Sequence, residues 1–461
     1  MNKASDLPFA PYEVAVTRPL PLLSREQREQ VLEDSGYNSY SIPQNKILID
    51  LKTDGGTGAL SSVQVASLLE LSNLEASTFD LSPQGSVRMP RFVEQIGEYF
   101  GFPFAVACNM GRAAERLYYG RHTERLKDAI VPGNMLFTST RFQIESRGGK
   151  VEDLTCSAAD DIASAEPFKG NFDIDKLRET IERAGARPHP AIPFVGVELC
   201  VNGFAGHPIA LRNIEQIKEV LTPHGIPLVI DACRLLANSR LIQLSEPAYA
   251  NSSIRDIVKK TLSFADACTF SASKEFGVRA LGAVFLRDKK MFEDITFQSM
   301  IEGVQAETGS INALSFTIEE AFASDQYAAS RVAETQRFWE LLRAKGVPVV
   351  NPAGGYAVYI DLHAYCPELG PDDHAPYALA AHVYRESGIR IGRGYFPSPR
   401  QVAKGIDLMR LCVPPRRYST EHYAYVADVL AETFKSRSSI RPLRIAPDPT
   451  RIKFDTRYVP A

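Results

Sequence analysis

The order of hydrophobic and polar residues follows two alternating patterns from about residue 60 to residue 300. Short apolar runs predict strands, and segments with apolar residues every three or four positions predict helices. The predicted strands are FAVACN (104–109), NMLFT (134–138), KVEDLTC (150–156), FVGVELCVN (194–202), IPLVID (226–231) and DACTFSAS (266–273). The predicted helices are 61–71, 90–101, 112–120, 173–185 and 211–225. Several strands are apolar on both faces, which predicts an α/β domain with a doubly wound, mostly parallel sheet.

The flanking regions have different patterns. Ser24 followed by Gln27 has capping-box spacing and predicts the start of a short helix, and KILIDL predicts a short strand. The C-terminal part predicts a smaller α+β domain with helices at 311–346, 378–388 and 421–435. These patterns predict three parts. Residues 1–58 form an N-terminal arm and part of the small domain, residues 59–318 form the large domain, and residues 319–461 form the small C-terminal domain.

Composition excludes several classes of protein. The chain has 461 residues, of which 44% are hydrophobic and 23% charged, values that are usual for a globular protein. With 52 basic and 55 acidic side chains and no charge run, the sequence favours neither nucleic acid nor membrane as a partner. Seven scattered cysteines and an N-terminus without an apolar run predict a reduced, cytoplasmic protein without a structural metal site. At this size, an enzyme acting on a small molecule is the leading expectation.

One pair of residues suits pyridoxal 5′-phosphate (PLP). Asp231 ends the apolar strand IPLVID, and Lys274 follows the next predicted strand, so both are expected at the carboxyl edge of the sheet. There the lysine can form a Schiff base with the cofactor, and the aspartate can keep the pyridine nitrogen protonated. Ser271 and Ser273 offer hydroxyls for the phosphate. In the alternative interpretation, Asp231 only caps the next helix and Lys274 is solvated.

Three further features favour the same cofactor. Met110-Gly111-Arg112 follows a strand and opens a helix, and the amides at a helix N-terminus bind phosphate. Arg234 lies three residues after Asp231 and can reach the same phosphate. Phe137 can stack on the pyridine ring. The alternatives are an ordinary strand–helix turn and a core phenylalanine.

The sequence resembles the β-eliminating lyases, the family of tyrosine phenol-lyase and tryptophanase, over nearly its whole length. The segments that carry the resemblance occur in family order: LLSREQREQVLEDSGYN, ILIDLKTDGGTGALS, FGFPFAVACNMGRAAE, GNMLFTSTRF, VNGFAGHPIA, HGIPLVIDACR, FADACTFSASKE, GVPVVNPAGGYAVYIDL, ESGIRIGRG and MRLCVPPRRYSTEH. The resemblance implies an aspartate-aminotransferase-like PLP fold. It also implies a homodimer or homotetramer with active sites at subunit boundaries.

The resemblance also implies roles for particular residues. Lys274 would be the Schiff-base lysine and Asp231 the partner of the pyridine nitrogen. Asn202 would contact the cofactor's 3-hydroxyl group. Arg410 would bind the α-carboxylate of the substrate, a task suited to a bidentate guanidinium. The remaining cofactor-binding residues implied by the family pattern are Met110, Gly111, Arg112, Phe137, Arg234 and Ser271.

The departures from the family concern the leaving group. The family's general-acid tyrosine falls in LSNLEASTFDLSPQGSVRMPRF, which contains no tyrosine. Tyr356 stands in place of a family histidine and is a candidate acid, with Tyr395 as another. Arg393 is a candidate for the arginine that contacts the phenol hydroxyl, although its segment is one residue short. Arg279 falls near the family's monovalent-cation site, which suggests a guanidinium in place of potassium.

These residues predict a PLP-dependent lyase that acts on an L-amino acid by Schiff-base formation, Cα deprotonation and β-elimination. Expelling phenol or indole requires protonation of a ring carbon, a general-acid task worth roughly 10²–10⁴ in rate. Without the family tyrosine, a modified amino acid with a better leaving group is favoured. The alternatives are β-replacement, retro-aldol cleavage or transamination on the same cofactor, and a catalytically degenerate binding protein.

Overall fold

The computed structural model describes residues 19–56, 58–62, 65, 89–185, 192–447 and 456–461. Most of the predicted helix 61–71, and the whole segment expected to hold the family tyrosine up to residue 88, lie outside the described residues. The chain divides into two compact units. The large unit includes Gly55–Asp161 and Glu166–Val332, and the small unit includes the described residues up to Asp54 together with Ile162–Ala165 and Ala333–Ala461.

The strands of the described residues confirm most of the predicted strand positions. In chain order they are β1 (Ile49–Asp50), β2 (Phe104–Cys108), β3 (Ile130–Gly133), β4 (Lys150–Asp153), β5 (Val195–Glu198), β6 (Leu228–Asp231), β7 (Ala267–Ser271), β8 (Gly282–Leu286), β9 (Ala357–Asp361), β10 (Ile389–Arg390), β11 (Leu408–Cys412), β12 (Leu443–Ile445) and β13 (Tyr458–Pro460).

The α-helices of the described residues include those that were predicted, close to their expected positions, and others that were not. They are α1 (Arg25–Asp34), α2 (Met89–Gln95), α3 (Gly111–Arg121), α4 (Thr123–Leu126), α5 (Thr138–Glu145), α6 (Ile174–Gly185), α7 (Leu211–Leu221), α8 (Leu235–Ser245), α9 (Ile254–Ser263), α10 (Lys289–Ile301), α11 (Thr308–Phe322), α12 (Gln326–Ala344), α13 (Leu362–Tyr365), α14 (Ala375–Ser387), α15 (Pro399–Ala403) and α16 (Thr420–Lys435). Helix α1 begins with the predicted capping box between Ser24 and Gln27. No helix within the described ranges is both long enough and apolar enough to cross a membrane.

A seven-stranded sheet forms the centre of the large unit, in the order β2-β8-β7-β6-β5-β3-β4. The strands from β7 to β4 are parallel, whereas β8 is antiparallel to both of its neighbours. Both faces are covered, because Leu228 and Ile230 of β6 pack into one apolar cluster while Val229 packs into another. The predicted mostly parallel α/β sheet is therefore confirmed.

Two predicted elements are wrong. NMLFT is not a strand, because Met135 has φ +68°, and the segment turns directly into α5. The long helix predicted over 311–346 is two helices. Asp325 interrupts it, since its carboxylate accepts the backbone N–H of Ile254 at 2.9 Å and its carbonyl starts α12.

The small unit is α+β, with the antiparallel pair β9–β11, the parallel pair β1–β10 and the pair β12–β13. These strands and α14 and α16 bury a core of their own. The predicted start of the small C-terminal domain, residue 319, lies inside α11. In the structure Leu314 and Ile318 of α11 pack into the main core of the large unit, and the division falls at 332–333.

Candidate active site

Asp231 and Lys274 lie at the carboxyl ends of neighbouring parallel strands, as predicted. Asp231 ends β6, and Lys274 follows β7, which pairs with β6. The Asp231 carboxylate accepts the N–H of Cys233 at 3.0 Å. Burial raises the pKa of Asp231, and the positive charges of Arg234 and Lys274 act in the opposite direction. The fold thus brings the predicted carboxylate and amine close enough for their charges to interact.

The segment that carries Lys274 is held on both sides. The N–H of Gly56 donates to the carbonyl of Ser273 at 2.7 Å. A Cβ added to Gly55 would lie 2.8 Å from the Nζ of Lys274, so a residue with a side chain at position 55 would displace the amine. On the other side, the carboxylate of Glu275 accepts two backbone amides in the first turn of α8, at 2.7 and 2.8 Å. These contacts fix the position from which the amine acts.

A tight turn at the start of α3 forms a candidate phosphate site. Met110 is the N-cap residue but provides no side-chain cap, and the amides of Gly111 and Arg112 have no acceptor among the described residues. A Cβ on Gly111 would lie 2.7 Å from the Cβ of Ser271, and a Cβ on Gly282 would lie 2.4 Å from the Met110 carbonyl. The turn is therefore packed against the ends of β7 and β8 through two glycines.

Hydroxyl groups lie beside this turn. The Oγ atoms of Ser271 and Ser273 are 2.9 Å apart, and the Oγ of Ser271 would be 3.1 Å from a Cβ on Gly111. Free amides at a helix N-terminus and adjacent hydroxyls are the donors that phosphate requires. The structure thus joins Gly111 and Ser271, which are far apart in sequence, into one site.

The other predicted cofactor residues also belong to the large unit. Asn202 is buried and begins a turn directly after β5. Arg234 is buried at the start of α8, and Phe137 is half-buried at the start of α5. Arg112 is exposed. Together with the carboxylate of Asp231, the amine of Lys274 and the phosphate donors, this set fits PLP, which needs a partner for its ring nitrogen, its aldehyde and its phosphate.

Arg410 occupies a shaped site in the small unit. It lies on β11 opposite Tyr359 of β9, is 7% exposed, and donates through Nη2 to the carbonyl of Lys52 at 2.9 Å. A Cβ on Gly394 would come 2.1 Å from the Cζ of Arg410, so the guanidinium lies directly against a glycine backbone. The planar group is therefore held in one orientation.

Two tyrosines lie near this guanidinium. The hydroxyls of Tyr356 and Tyr359 are 3.1 Å apart, and both side chains are buried. Burial raises the pKa of Tyr359 well above its ordinary value, while the charge of Arg410 has the opposite effect. The Tyr359 hydroxyl is therefore neutral at physiological pH.

Arg393 pairs with an acidic residue of the small unit. Its Nη2 lies 2.7 Å from the Oδ1 of Asp407, and its guanidinium lies 5.7 Å from the ring centre of Tyr395. The Tyr395 hydroxyl accepts the N–H of Leu408 at 3.1 Å. An acidic partner thus already balances the charge of Arg393 within the small unit.

The sequence analysis did not identify three buried glutamates and one glycine of the large unit. Glu115 and Glu198 lie near Asp231, and Glu275 follows Lys274. One signal was present for Glu198, because it ends an apolar strand just as Asp231 does. Gly282 was missed because the strand that begins with it was not predicted.

The chain is similar to known proteins over nearly its whole length. A family model described as "Beta-eliminating lyase" matches residues 50–429. Tyrosine phenol-lyase of Pasteurella multocida is 32% identical, covering 98% of this chain and 99% of the relative. A probable tryptophanase of Aeropyrum pernix is 33% identical, covering 97% of this chain and 95% of the relative. Among solved structures, aspartate aminotransferase of Thermotoga maritima has a TM-score of 0.60 at 13% identity and covers 90% of this chain and 98% of its own. The last likeness concerns the fold alone.

Proposed function

This chain belongs to the β-eliminating lyase family and is a PLP-dependent lyase, and from that premise we propose that it removes a β-substituent from an L-amino acid. The observation that carries the proposal is the arrangement of Asp231, Lys274 and the glycine-packed turn at Gly111 around one edge of one sheet. When bound, PLP supplies an electron-withdrawing ring that accepts the electron pair left at Cα.

The residues of the large unit have separate tasks in this proposal. Nζ of Lys274 binds the cofactor at rest and then takes the proton from Cα. The Asp231 carboxylate keeps the ring nitrogen protonated. The turn that includes Met110, Gly111 and Arg112 holds the phosphate with the Ser271 hydroxyl. Asn202 contacts the 3-hydroxyl group of the cofactor, and Arg234 contacts its phosphate. Phe137 stacks on the pyridine ring.

The other predicted residues contact the substrate in this proposal. Arg410 binds the α-carboxylate, since Gly394 and the Lys52 carbonyl already hold its guanidinium in one orientation. Tyr356 donates the proton to the leaving group, and its hydrogen bond with Tyr359 orients the hydroxyl that does so. Arg393 is not available to neutralise a charged leaving group in this proposal, because Asp407 already pairs with it. This arrangement favours a leaving group, such as a thiolate, that needs little help from a cation or a strong acid.

The test is a product assay on the purified holoenzyme with a panel of L-amino acids that includes tyrosine, tryptophan and S-substituted cysteines. We expect pyruvate and ammonia in equal amounts from at least one S-substituted cysteine. We also expect that Lys274→Ala abolishes both the products and the visible absorbance of the lysine–PLP Schiff base. Product formation that depends on an added keto acid, without release of ammonia, would instead identify a transaminase.

Tyr356→Phe separates the leaving-group role from the cofactor role. It should leave PLP binding intact and lower kcat more for tyrosine than for an S-substituted cysteine, because the thiolate needs less protonation. Equal loss with both substrates would contradict the role given to Tyr356.

A further inference from the structure

Glu198 lies directly beside Asp231 in the sheet. It is the last residue of β5, and the parallel pairing of β5 with β6 sets Glu198 opposite Asp231. Residues in register on neighbouring strands lie about 4.8 Å apart and present their side chains on the same face. The carboxylate proposed to face the ring nitrogen of PLP therefore has a second carboxyl group as its neighbour.

The side chain of Glu198 is fixed through one oxygen only. Oε1 accepts the backbone N–H of Asn202 at 2.8 Å, and Glu198 is 6% exposed. Its main chain is held at both polar atoms by the amide side chain of Asn134, at 2.8 and 3.0 Å. Oε2 is buried and accepts no hydrogen bond from the described residues. A buried polar atom normally has a partner, and a proton on Oε2 would provide one by bonding to a carboxylate.

The surrounding charges decide which carboxyl group keeps a proton. Asp231 has the Cys233 amide and the charges of Arg234 and Lys274, all of which favour its ionised form. The groups that act on Glu198 are Asp231 of β6, Glu115 of α3, Arg234 at the start of α8 and the amide of Asn202. Burial, followed by the charge of Asp231, raises the pKa of Glu198 well above its ordinary value. Two adjacent carboxyl groups that are both shielded from water do not both ionise, and Asp231 is the one beside the charge of Lys274.

We propose that Glu198 is a positioning residue that remains protonated and donates a hydrogen bond to Asp231, while its other oxygen fixes Asn202. The inference rests on the proposed function, because it assigns Asp231 to the ring nitrogen and Asn202 to the ring hydroxyl. One glutamic acid then orients the two groups that contact the ring nitrogen and the 3-hydroxyl group of the cofactor. Asp231 carries the negative charge alone, as protonation of the ring nitrogen requires.

Infrared spectroscopy of the apoprotein tests the proton directly. Protonated carboxyl groups have a C=O stretch that is separate from that of carboxylates. Glu115 and Glu275 have pKa values raised to about 7, so at a pH well above that value their contributions are lost. A protonated-carboxyl band should remain there, should disappear in Glu198→Gln, and should persist in the matched control Glu115→Gln. Labelling the aspartate carboxyl groups with ¹³C must leave the band in place. A band that shifts on labelling assigns the proton to Asp231, and absence of the band means that Glu198 is ionised; either result overturns the proposal.

PLP affinity provides the second measurement. Glu198→Gln keeps a neutral donor and an acceptor, so the dissociation constant for PLP should stay within about threefold of the wild-type value. Glu198→Leu lacks both and should weaken binding by about tenfold or more. A change larger than tenfold in Glu198→Gln would mean that a charge has been removed, contrary to the proposal. Failure of the wild-type protein to bind PLP would reject the proposed function instead, and the infrared result on the apoprotein would remain interpretable.

Discussion

Gly282→Ala should weaken PLP binding strongly while leaving the protein folded. The new Cβ would lie 2.4 Å from the carbonyl of Met110 and 2.6 Å from the amide nitrogen of Gly111, whereas ordinary contacts begin at 3.4 Å. Both atoms belong to the backbone, so the turn at the start of α3 must move by about 1 Å. That shift misaligns the free amides of Gly111 and Arg112, which we assign to the phosphate.

The magnitude follows from the bonds that would be lost. A hydrogen bond to a charged group contributes roughly 1.5–3 kcal/mol, so weakening two of them should cost about 3 kcal/mol of binding free energy. This corresponds to a roughly hundredfold increase in the dissociation constant. Overpacking at the same position should lower the free energy of unfolding by about 1–3 kcal/mol.

The assay is titration of the apoprotein with PLP, followed by the absorbance of the Schiff base, together with thermal unfolding without cofactor. Gly185→Ala is the matched control, because a Cβ there meets no atom of the described residues within 4 Å, and Gly185 lies at the end of α6. The control should bind PLP as the wild type does. If Gly282→Ala binds PLP within about threefold of the wild type, the turn at Gly111 does not hold the phosphate.

Three further predictions concern other parts of the chain. Burial raises the pKa of Glu115 from 4.5 to about 7, so its protonation stabilises the fold fully below pH 4.5, and this contribution is lost as the pH rises through 7. Glu115→Gln should therefore raise the free energy of unfolding by about 3 kcal/mol above pH 7 and by almost nothing near pH 4.5; a pH-independent difference in urea unfolding would contradict this. Gly394 has φ +73° and lies against Arg410. Gly394→Ala should therefore raise KM for the amino acid at least about tenfold without changing PLP affinity. An unchanged KM would count against the carboxylate role of Arg410. If Arg279 replaces the cation, activity should be equal in potassium and sodium salts, and strong activation by potassium would reject that idea.

The sequence predicts those features of the site that depend on local pattern. Apolar runs and helical periodicity located most strands and about half of the helices, including the strand that ends at Asp231 and the helix that starts at Gly111. These features are local because a strand end or a helix start is specified by the residues within a few positions of it. The resemblance to the family could also be found from the sequence alone, since it depends on segments that keep their order along the chain.

Contacts between distant segments were decided by the tertiary structure alone. The packing of Gly282 against Met110 depends on an antiparallel strand inserted into a parallel sheet, and the pairing of Arg393 with Asp407 joins two segments with no shared local pattern. The position of Glu198 beside Asp231 depends on strand register, which is set by the backbone hydrogen bonds of the whole sheet. The sequence by itself therefore determined the family and predicted which residues carry the chemistry. Only the fold decided which charges are neutralised and which protons are held, because charge interactions in a buried site depend on distances between residues that are far apart in the chain.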